Sequence, residues 1–158
     1  MFHIGDKIVH PMHGAGVVEN IVQKELDNEV QSFYVLNMPL AGMVIMVPIK
    51  SCKGIGVRKV IDSKQADELM HQLEDIDVDM NQNWNRRYRE NMSLIKSGNP
   101  VDVARVVKGL MMRERDKGLS TGERKMLHSA KQILISELIM AKSSNYDEVE
   151  QKINKALA

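Results

Sequence analysis

The chain is organised around residues 81–89, which read Asn81-Gln82-Asn83-Trp84-Asn85-Arg86-Arg87-Tyr88-Arg89. This segment holds the single tryptophan of the chain and sets three arginines within five residues of it. A flat aromatic ring beside guanidinium groups is suited to gripping a nucleic-acid backbone and leaning on a base step. The alternative is a structural role, because helical spacing would give one apolar face to Trp84, Tyr88, Met92 and Ile95.

The composition is that of an ordinary globular protein, with 158 residues of which 43% are hydrophobic and 27% are charged. This length suffices for one domain or for two small ones. No apolar run reaches the ~18 residues of a membrane span, and the N-terminus lacks the regions of a signal peptide. The only cysteine, Cys52, leaves no partner for an internal disulfide and fits a reducing compartment. We therefore expect a cytoplasmic protein with no membrane partner.

Charge is distributed unevenly along the chain. The formal net charge is only +1, but residues 61–80 carry −6 and residues 81–158 carry +6. A near-neutral protein that separates its charge in this way presents a basic surface suited to an acidic partner. The alternative is ordinary solvated charge on helical faces.

Residues 1–60 predict a small antiparallel sheet, because segments rich in β-branched residues alternate with turns such as Pro11–Gly16. Strands are expected at residues 6–10, 16–22, 31–38 and 43–48, with a short fifth strand within residues 55–58. Four or five short strands at this spacing indicate a strongly bent barrel of the SH3 or Tudor type. Such a barrel has no room for an enzyme cleft and usually presents an edge strand or a loop to a partner.

From residue 62 the apolar period becomes helical. Helices are expected over residues 64–74, 83–97, 100–117, 121–142 and 146–157. Asp62 and Asn99 are suited to cap two of them, and Ser120 with Glu123 has the spacing of a capping box. The sequence therefore predicts a two-domain β + α protein, in which a compact five-helix bundle over residues 61–158 follows the barrel.

Motifs that would indicate an enzyme or a cofactor are missing from the sequence. His3, His10 and His13 have no second cysteine or tight ligand cluster to complete a closed zinc site with Cys52. No phosphate-binding glycine loop, dinucleotide fingerprint or G-x-S-x-G motif occurs. The carboxylates of residues 62–79 are interpreted as a solvated face. We expect no catalysis, metal, cofactor or small-molecule substrate.

Basic side chains are more informative. Arg86 and Arg87 follow the tryptophan, while Arg124 and Lys125 fall in the first turns of the fourth helix, where the helix dipole disfavours cations. An anion arriving at that helix end would offset this cost, and the free N–H groups there are suited to phosphate. The alternative is that these are ordinary surface side chains.

Three segments of the chain resemble the bacterial CarD (CdnL) transcription regulators, and they occur in the family's order. They read Ile4-Gly5-Asp6-Lys7-Ile8-Val9-His10-Pro11-Met12-His13-Gly14-Ala15-Gly16, Asn83-Trp84-Asn85-Arg86-Arg87-Tyr88-Arg89-Glu90-Asn91, and Lys117-Gly118-Leu119-Ser120-Thr121-Gly122-Glu123-Arg124-Lys125-Met126-Leu127. The resemblance covers essentially the whole chain. The first segment alone is less specific, because transcription-repair coupling factors carry a similar module.

The resemblance implies a division of labour between the two domains. It implies that residues 1–60 form a Tudor-like domain that binds the β subunit of RNA polymerase. Residues 61–158 would contact promoter DNA at the upstream edge of the transcription bubble. Trp84 would be a wedge in the minor groove, and the backbone would be held by Arg86, Arg87, Arg124 and Lys125. The implied result is a more stable open complex in the bacterial cytoplasm, at the nucleoid.

The resemblance also implies a polymerase-binding set, namely Lys24, Met46, Val47 and Pro48. Some relatives have an arginine just before the Val-Pro pair, whereas this chain has Met46, which predicts a more apolar contact. Two other functions remain open from the residues alone. One is a stand-alone DNA-binding repressor, and the other is a protein-protein adaptor whose basic face contacts an acidic protein.

Overall fold

The computed structural model describes residues 1–79 and 82–157. Met80, the end of the predicted acidic segment, and Asn81, the first residue of the segment quoted above, lie outside the described residues, as does Ala158. The described chain consists of an antiparallel β domain followed by a helical domain. None of the helices in the described part is long and apolar enough to cross a membrane.

The β domain contains one five-stranded antiparallel sheet in the order β4-β3-β2-β1-β5. Its strands are β1 (Lys7–His10), β2 (Gly14–Leu26), β3 (Glu29–Met38), β4 (Met43–Pro48) and β5 (Arg58–Lys59). In this order β4 and β5 are the edges. Closure of the sheet into a barrel of the SH3 or Tudor type stays a prediction.

The turn of the long β2–β3 hairpin is determined by two residues with left-handed backbone angles. Asp27 and Asn28 both have positive φ angles, of 50° and 65°, as a tight two-residue hairpin turn requires. The β2–β3 register shifts between Val18 and Asn20, and such a bulge bends and twists a strand. One face of the sheet covers a core of Ile8, Val18, Tyr34, Leu36, Met38, Val47, Cys52 and Val57.

The predicted fifth strand was wrong in position. A 3-10 turn over Ile49–Ser51 leads into a short helix α1 (Cys52–Ile55), which ends at Gly56 with a left-handed φ of 97°. Strand β5 pairs only after this helix, with Arg58 opposite Val9. The predicted turn over Pro11–Gly16 was also too long, because Gly14 already opposes His10 in the sheet.

Five of the six described α-helices follow the sheet: α2 (Ser63–Leu73), α3 (Trp84–Lys96), α4 (Pro100–Asp116), α5 (Thr121–Lys142) and α6 (Tyr146–Leu157). The predicted caps are confirmed: Asp62 accepts from the Gln65 N–H, Asn99 from the Val101 N–H, and Ser120 from the Glu123 N–H. These helices share one apolar core to which α4 and α5 contribute most. The division of the chain between residues 60 and 61 stays a prediction.

The two domains are joined by buried polar contacts on α5. The Glu137 carboxylate accepts two hydrogen bonds from Arg58 of β5, at 2.6 and 2.7 Å, and one from the Ile61 N–H at 3.0 Å. Beside it, the Ser136 hydroxyl accepts from the Ala15 N–H at 2.9 Å. A Cβ at Gly14 would lie only 2.6 Å from that hydroxyl oxygen. The sheet therefore meets α5 without space for larger side chains.

Candidate nucleic-acid interface

Trp84 is the first residue of α3 and lies partly in solvent. Its N-terminal neighbour Asn83 caps the helix by accepting from the Arg86 N–H at 3.0 Å. The tryptophan is 42% exposed. Its ring stacks on Tyr88, with the centroids 5.2 Å apart and the planes 19° from parallel. The indole therefore has a supported face, and a large part of it remains accessible to a partner.

The N-terminus of α5 meets the N-terminus of α3 at this point. The Trp84 Nε1–H donates to the Oγ of Ser120, the N-cap of α5, at 3.0 Å. The two helix N-termini, each with its partial positive charge, therefore lie close together beside the indole. Convergent helix N-termini favour an anion such as a phosphate group.

A buried ion pair joins α3 and α5 in the same region. The Arg87 Nε donates to one carboxylate oxygen of Glu123 at 2.7 Å and the second guanidinium arm donates to the other at 3.1 Å. Arg87 is 1% exposed and Glu123 is 2% exposed. Arg87 also donates to the Gln82 carbonyl. Arg87 therefore faces the interior, where its guanidinium is not available to a phosphate, in contrast to the role that the resemblance implies.

The ion pair changes the titration of its carboxylate. The Arg87 hydrogen bonds, helped by the nearby charges of Arg87 and Arg113 and by the Ser120 hydroxyl, hold the pKa of Glu123 below its ordinary value although burial opposes this. Glu123 is thus an anion in the folded protein at neutral pH. Only half of the predicted capping box is observed. The Ser120 side chain caps the Glu123 N–H, but the Glu123 carboxylate accepts from Arg87.

The other predicted DNA-contacting residues lie on the surface around the indole. Arg86 is exposed and is 3.6 Å from Glu90, a weak contact between two solvated side chains. Arg124 is exposed and donates to the Leu119 carbonyl. Lys125 is exposed one residue further along α5. The contacts between the first turns of α3 and α5 bring these three cations around the same end of the helical domain.

The predicted polymerase-binding residues divide between the two faces of the sheet. Opposed residues in antiparallel strands share a face, and alternate residues along a strand do too. Lys24 opposes Gln31, and Met46 opposes Val35, so Lys24 and Met46 belong to one face, about 13 Å apart along β3. We call this the outer face of the sheet.

Val47 belongs to the opposite face, where it opposes Tyr34 and is buried in the core. Pro48 ends the edge strand and is partly buried. The sequence did not single out Val44, which is 58% exposed beside Met46, itself 39% exposed, on the edge strand β4. An exposed apolar residue on an edge strand is a signal for a partner that alternation alone could have suggested.

The histidines do not gather into a larger cluster. The rings of His10 and His13 lie 4.6 Å apart. Burial, followed by the charge of His13, lowers the pKa of His10. Within residues 1–79 and 82–157, no three His, Cys, Asp or Glu side chains are close enough to hold a metal ion.

Comparison with known proteins assigns both parts of the chain. Residues 2–61 match the CarD-like/TRCF RID domain, and residues 68–154 match the CarD C-terminal domain. A Bacillus subtilis (strain 168) protein, YdeB, named as a candidate transcription factor, is 37% identical over 150 residues, which cover 95% of this chain and 98% of YdeB. These matches define a transcription regulator. The chain belongs to the CarD family of transcription factors.

Proposed function

We propose that this protein binds the β subunit of RNA polymerase through its β domain and stabilises the promoter open complex through its helical domain. Trp84 enters the minor groove at the upstream edge of the transcription bubble, while Arg86, Arg124 and Lys125 contact the adjacent phosphates. The protein makes and breaks no covalent bond. It shifts an equilibrium, because it has more favourable contacts with the open promoter than with the closed one.

The observation that carries this proposal is the position of Trp84. A half-exposed indole lies between two helix N-termini, with Arg86, Arg124 and Lys125 on the surrounding surface. Apolar wedges between base steps, flanked by cations on phosphates, are the means by which minor-groove proteins kink or unstack DNA. The family membership of the chain supports a promoter as the site of action.

The small number of phosphate contacts explains why a polymerase-binding domain is needed. The logarithm of the DNA-binding constant falls with the logarithm of the salt concentration, with a slope of about −0.9 for each phosphate contact. Three cations give few such contacts, so binding to duplex DNA is weak. Unstacking a base step costs a few kcal/mol more. Binding to polymerase raises the effective concentration of the helical domain at the promoter, to about millimolar for a short connection.

The outer face of the sheet is the proposed polymerase-binding surface. Met46 and Val44 supply apolar contact along the edge strand β4, and Lys24 supplies a cation on the same face as Met46. An edge strand also offers unpaired backbone groups to which a partner strand can be added. Met46 makes this surface more apolar than in relatives that carry an arginine there.

Substitution of the tryptophan tests the proposal. Trp84→Ala should keep the fold and the binding of the β subunit but shorten the lifetime of open complexes challenged with heparin. Loss of stacking worth about 1–3 kcal/mol corresponds to a decrease of roughly 5- to 150-fold. An unchanged lifetime would contradict the wedge, and tight sequence-specific DNA binding without polymerase would instead favour a stand-alone repressor.

A further inference from the structure

We infer that Arg87, Glu123 and Ser120 are positioning residues, which fix the orientation of Trp84 before DNA arrives. The DNA-contacting role of Trp84 itself rests on the function proposed above. The new element is that a buried ion pair between α3 and α5 holds the indole at the surface in one orientation.

A tryptophan at the first position of a helix has little local support, because helix ends fray and the residue has no preceding turn to pack on. Two contacts compensate for this in the structure. Tyr88, one turn along α3, stacks on the ring. Ser120 accepts the indole N–H at 3.0 Å, but this residue belongs to α5. The orientation of Trp84 therefore depends on how α3 and α5 are aligned.

The Ser120 hydroxyl is fully engaged in this alignment. It accepts from the Trp84 Nε1–H at 3.0 Å and from the Glu123 N–H at 3.2 Å, and it donates to the Glu123 carboxylate at 3.4 Å. A hydroxyl has one donor and two acceptor sites, so all three are used. Its position is consequently coupled to the position of the Glu123 carboxylate.

The Glu123 carboxylate is in turn fixed by Arg87. Both oxygens accept from the guanidinium, and a bidentate pair of this kind defines an angle as well as a distance. Arg87 is on the first turn of α3 that carries Trp84, and Glu123 is on the first turn of α5 that carries Ser120. The pair and the Trp84–Ser120 hydrogen bond thus connect the same two helix turns twice.

The charges around the contact between α3 and α5 explain why an ion pair is suited to this position. Two helix N-termini meet, and both are followed by exposed cations, so the junction would repel itself without an anion. Glu123 neutralises the buried Arg87, whose charge would otherwise add to this repulsion, and leaves the exposed Arg86, Arg124 and Lys125 available to phosphate. A buried pair contributes little net stability compared with apolar residues, but it can specify one alignment.

Fluorescence of the free, full-length protein tests the inference, because Trp84 is the only tryptophan in the chain. The variants are Glu123→Gln, Arg87→Lys and Ser120→Ala, with Ser120→Thr as the conservative replacement that keeps the hydroxyl. The matched control is Glu137→Gln, which alters a second buried carboxylate on α5 that binds a different arginine, Arg58. The measurements are the emission maximum and quenching by acrylamide.

We expect the quenching constant of Glu123→Gln, Arg87→Lys and Ser120→Ala to rise toward that of a fully exposed indole. Ser120→Thr and Glu137→Gln should keep the wild-type value. Unchanged quenching in the first three variants would overturn the inference, as would an equal rise in Glu137→Gln, which would indicate general loosening. If Glu123→Gln does not fold, the comparison of Ser120→Ala with Ser120→Thr tests the inference instead. Ser120 is exposed, so both of its variants should fold.

The same variants distinguish this inference from the proposed function. If Trp84→Ala leaves open-complex lifetimes unchanged, the proposed function fails, and the quenching data still decide whether the pair positions the indole. If Trp84→Ala shortens the lifetimes but the quenching is unaffected by the three substitutions, the positioning role fails alone. With both correct, Ser120→Ala shortens the lifetime in the same direction as Trp84→Ala while Ser120→Thr does not.

Discussion

Two consecutive arginines at the start of α3 lie in different environments, so their substitution should have different effects. Arg87→Met would leave Glu123 as an unpaired buried charge, and should lower the free energy of unfolding by about 3–5 kcal/mol. Arg86→Met removes an exposed side chain and should change it by less than about 1 kcal/mol. Urea unfolding followed by circular dichroism measures both. Equal losses for the two variants would contradict the buried pair.

Arg86 is also the matched probe of DNA binding. Under the proposed function, Arg86→Met removes one phosphate contact, so the salt dependence of binding to forked promoter DNA should weaken by about one counterion. The wild-type slope, measured over a range of potassium chloride concentrations, is the reference. A slope that does not change would show that Arg86 is ordinary surface charge.

Acid should release the ion pair in a defined direction. The pKa of Glu123 is held low in the folded protein, mainly by the Arg87 hydrogen bonds and also by Arg113 and Ser120. Its contribution to stability is therefore fully present above the ordinary glutamate pKa of about 4.3 and is lost as the pH falls from there through the lowered pKa. Glu123→Gln should unfold with a shallower pH dependence in that range. An identical acid profile for the two proteins would contradict this coupling.

At the residue scale the sequence could indicate Trp84 but not the roles of its neighbours. Of the helical face that spacing suggested, Tyr88, Met92 and Ile95 do pack in or against the core, but the buried residues of α3 also include Arg87 and Asn91. Sequence patterns assign apolar residues to the core, and a core face that begins with a paired arginine has no such signature. The partner of Arg87, Glu123, is 36 residues away, and only folding reveals such a pair.

At the scale of elements, helices were predicted better than strands because caps are local. Asp62, Asn99 and Ser120 each satisfy N–H groups two or three residues away, which a sequence displays directly. Strand β5 needs the distant β1 as its partner, and its two residues follow an unexpected helix, α1. A two-residue strand has almost no pattern of its own, so the fifth strand was placed too early.

The edge strand β4 supplies the prediction at this scale. Met46→Asp puts a charge on the outer face, where the side chain is already partly in solvent, so the fold should persist. If this face binds polymerase, the variant should lose retention by immobilised β subunit, because an unpaired charge would be desolvated in an apolar contact. Met46→Leu, which keeps an uncharged apolar side chain of similar volume, is the control and should retain binding. Equal binding of Met46→Asp and the wild type would exclude Met46 from the interface.

At the scale of the whole molecule, α5 connects the two proposed functions. The first turn of this helix holds Ser120 and Glu123 beside Trp84, and its later turns hold Ser136 and Glu137 against the sheet. The 22 residues of α5 therefore separate the indole from the β domain by a rigid element. The two separate cores could be anticipated from the change to a helical apolar period near residue 62, but the buried polar contacts that join them could not, because Arg58 and Glu137 are far apart in sequence.

Loosening the junction between the β domain and α5 should shorten the lifetime of open complexes without weakening the binding of the β subunit or changing the surroundings of Trp84. In Glu137→Gln an amide N–H₂ group faces the Arg58 guanidinium, so the bidentate pair is lost and donor meets donor. The domains then sample more orientations, and the effective concentration of the helical domain at the DNA falls. We expect shorter open-complex lifetimes, unchanged retention by the β subunit and an unchanged Trp84 spectrum.

The control for this last prediction is Lys142→Ala, which removes a solvated contact between α5 and Asp67 of α2 within the helical domain. This pair is exposed, and exposed pairs contribute only about 0–1 kcal/mol to stability. Open complexes formed with Lys142→Ala should therefore have the wild-type lifetime in the heparin assay. A wild-type lifetime for Glu137→Gln would mean that polymerase and DNA orient the two domains independently of the junction. A loss of β-subunit retention in Glu137→Gln would instead show that the β domain needs α5 in order to fold or bind.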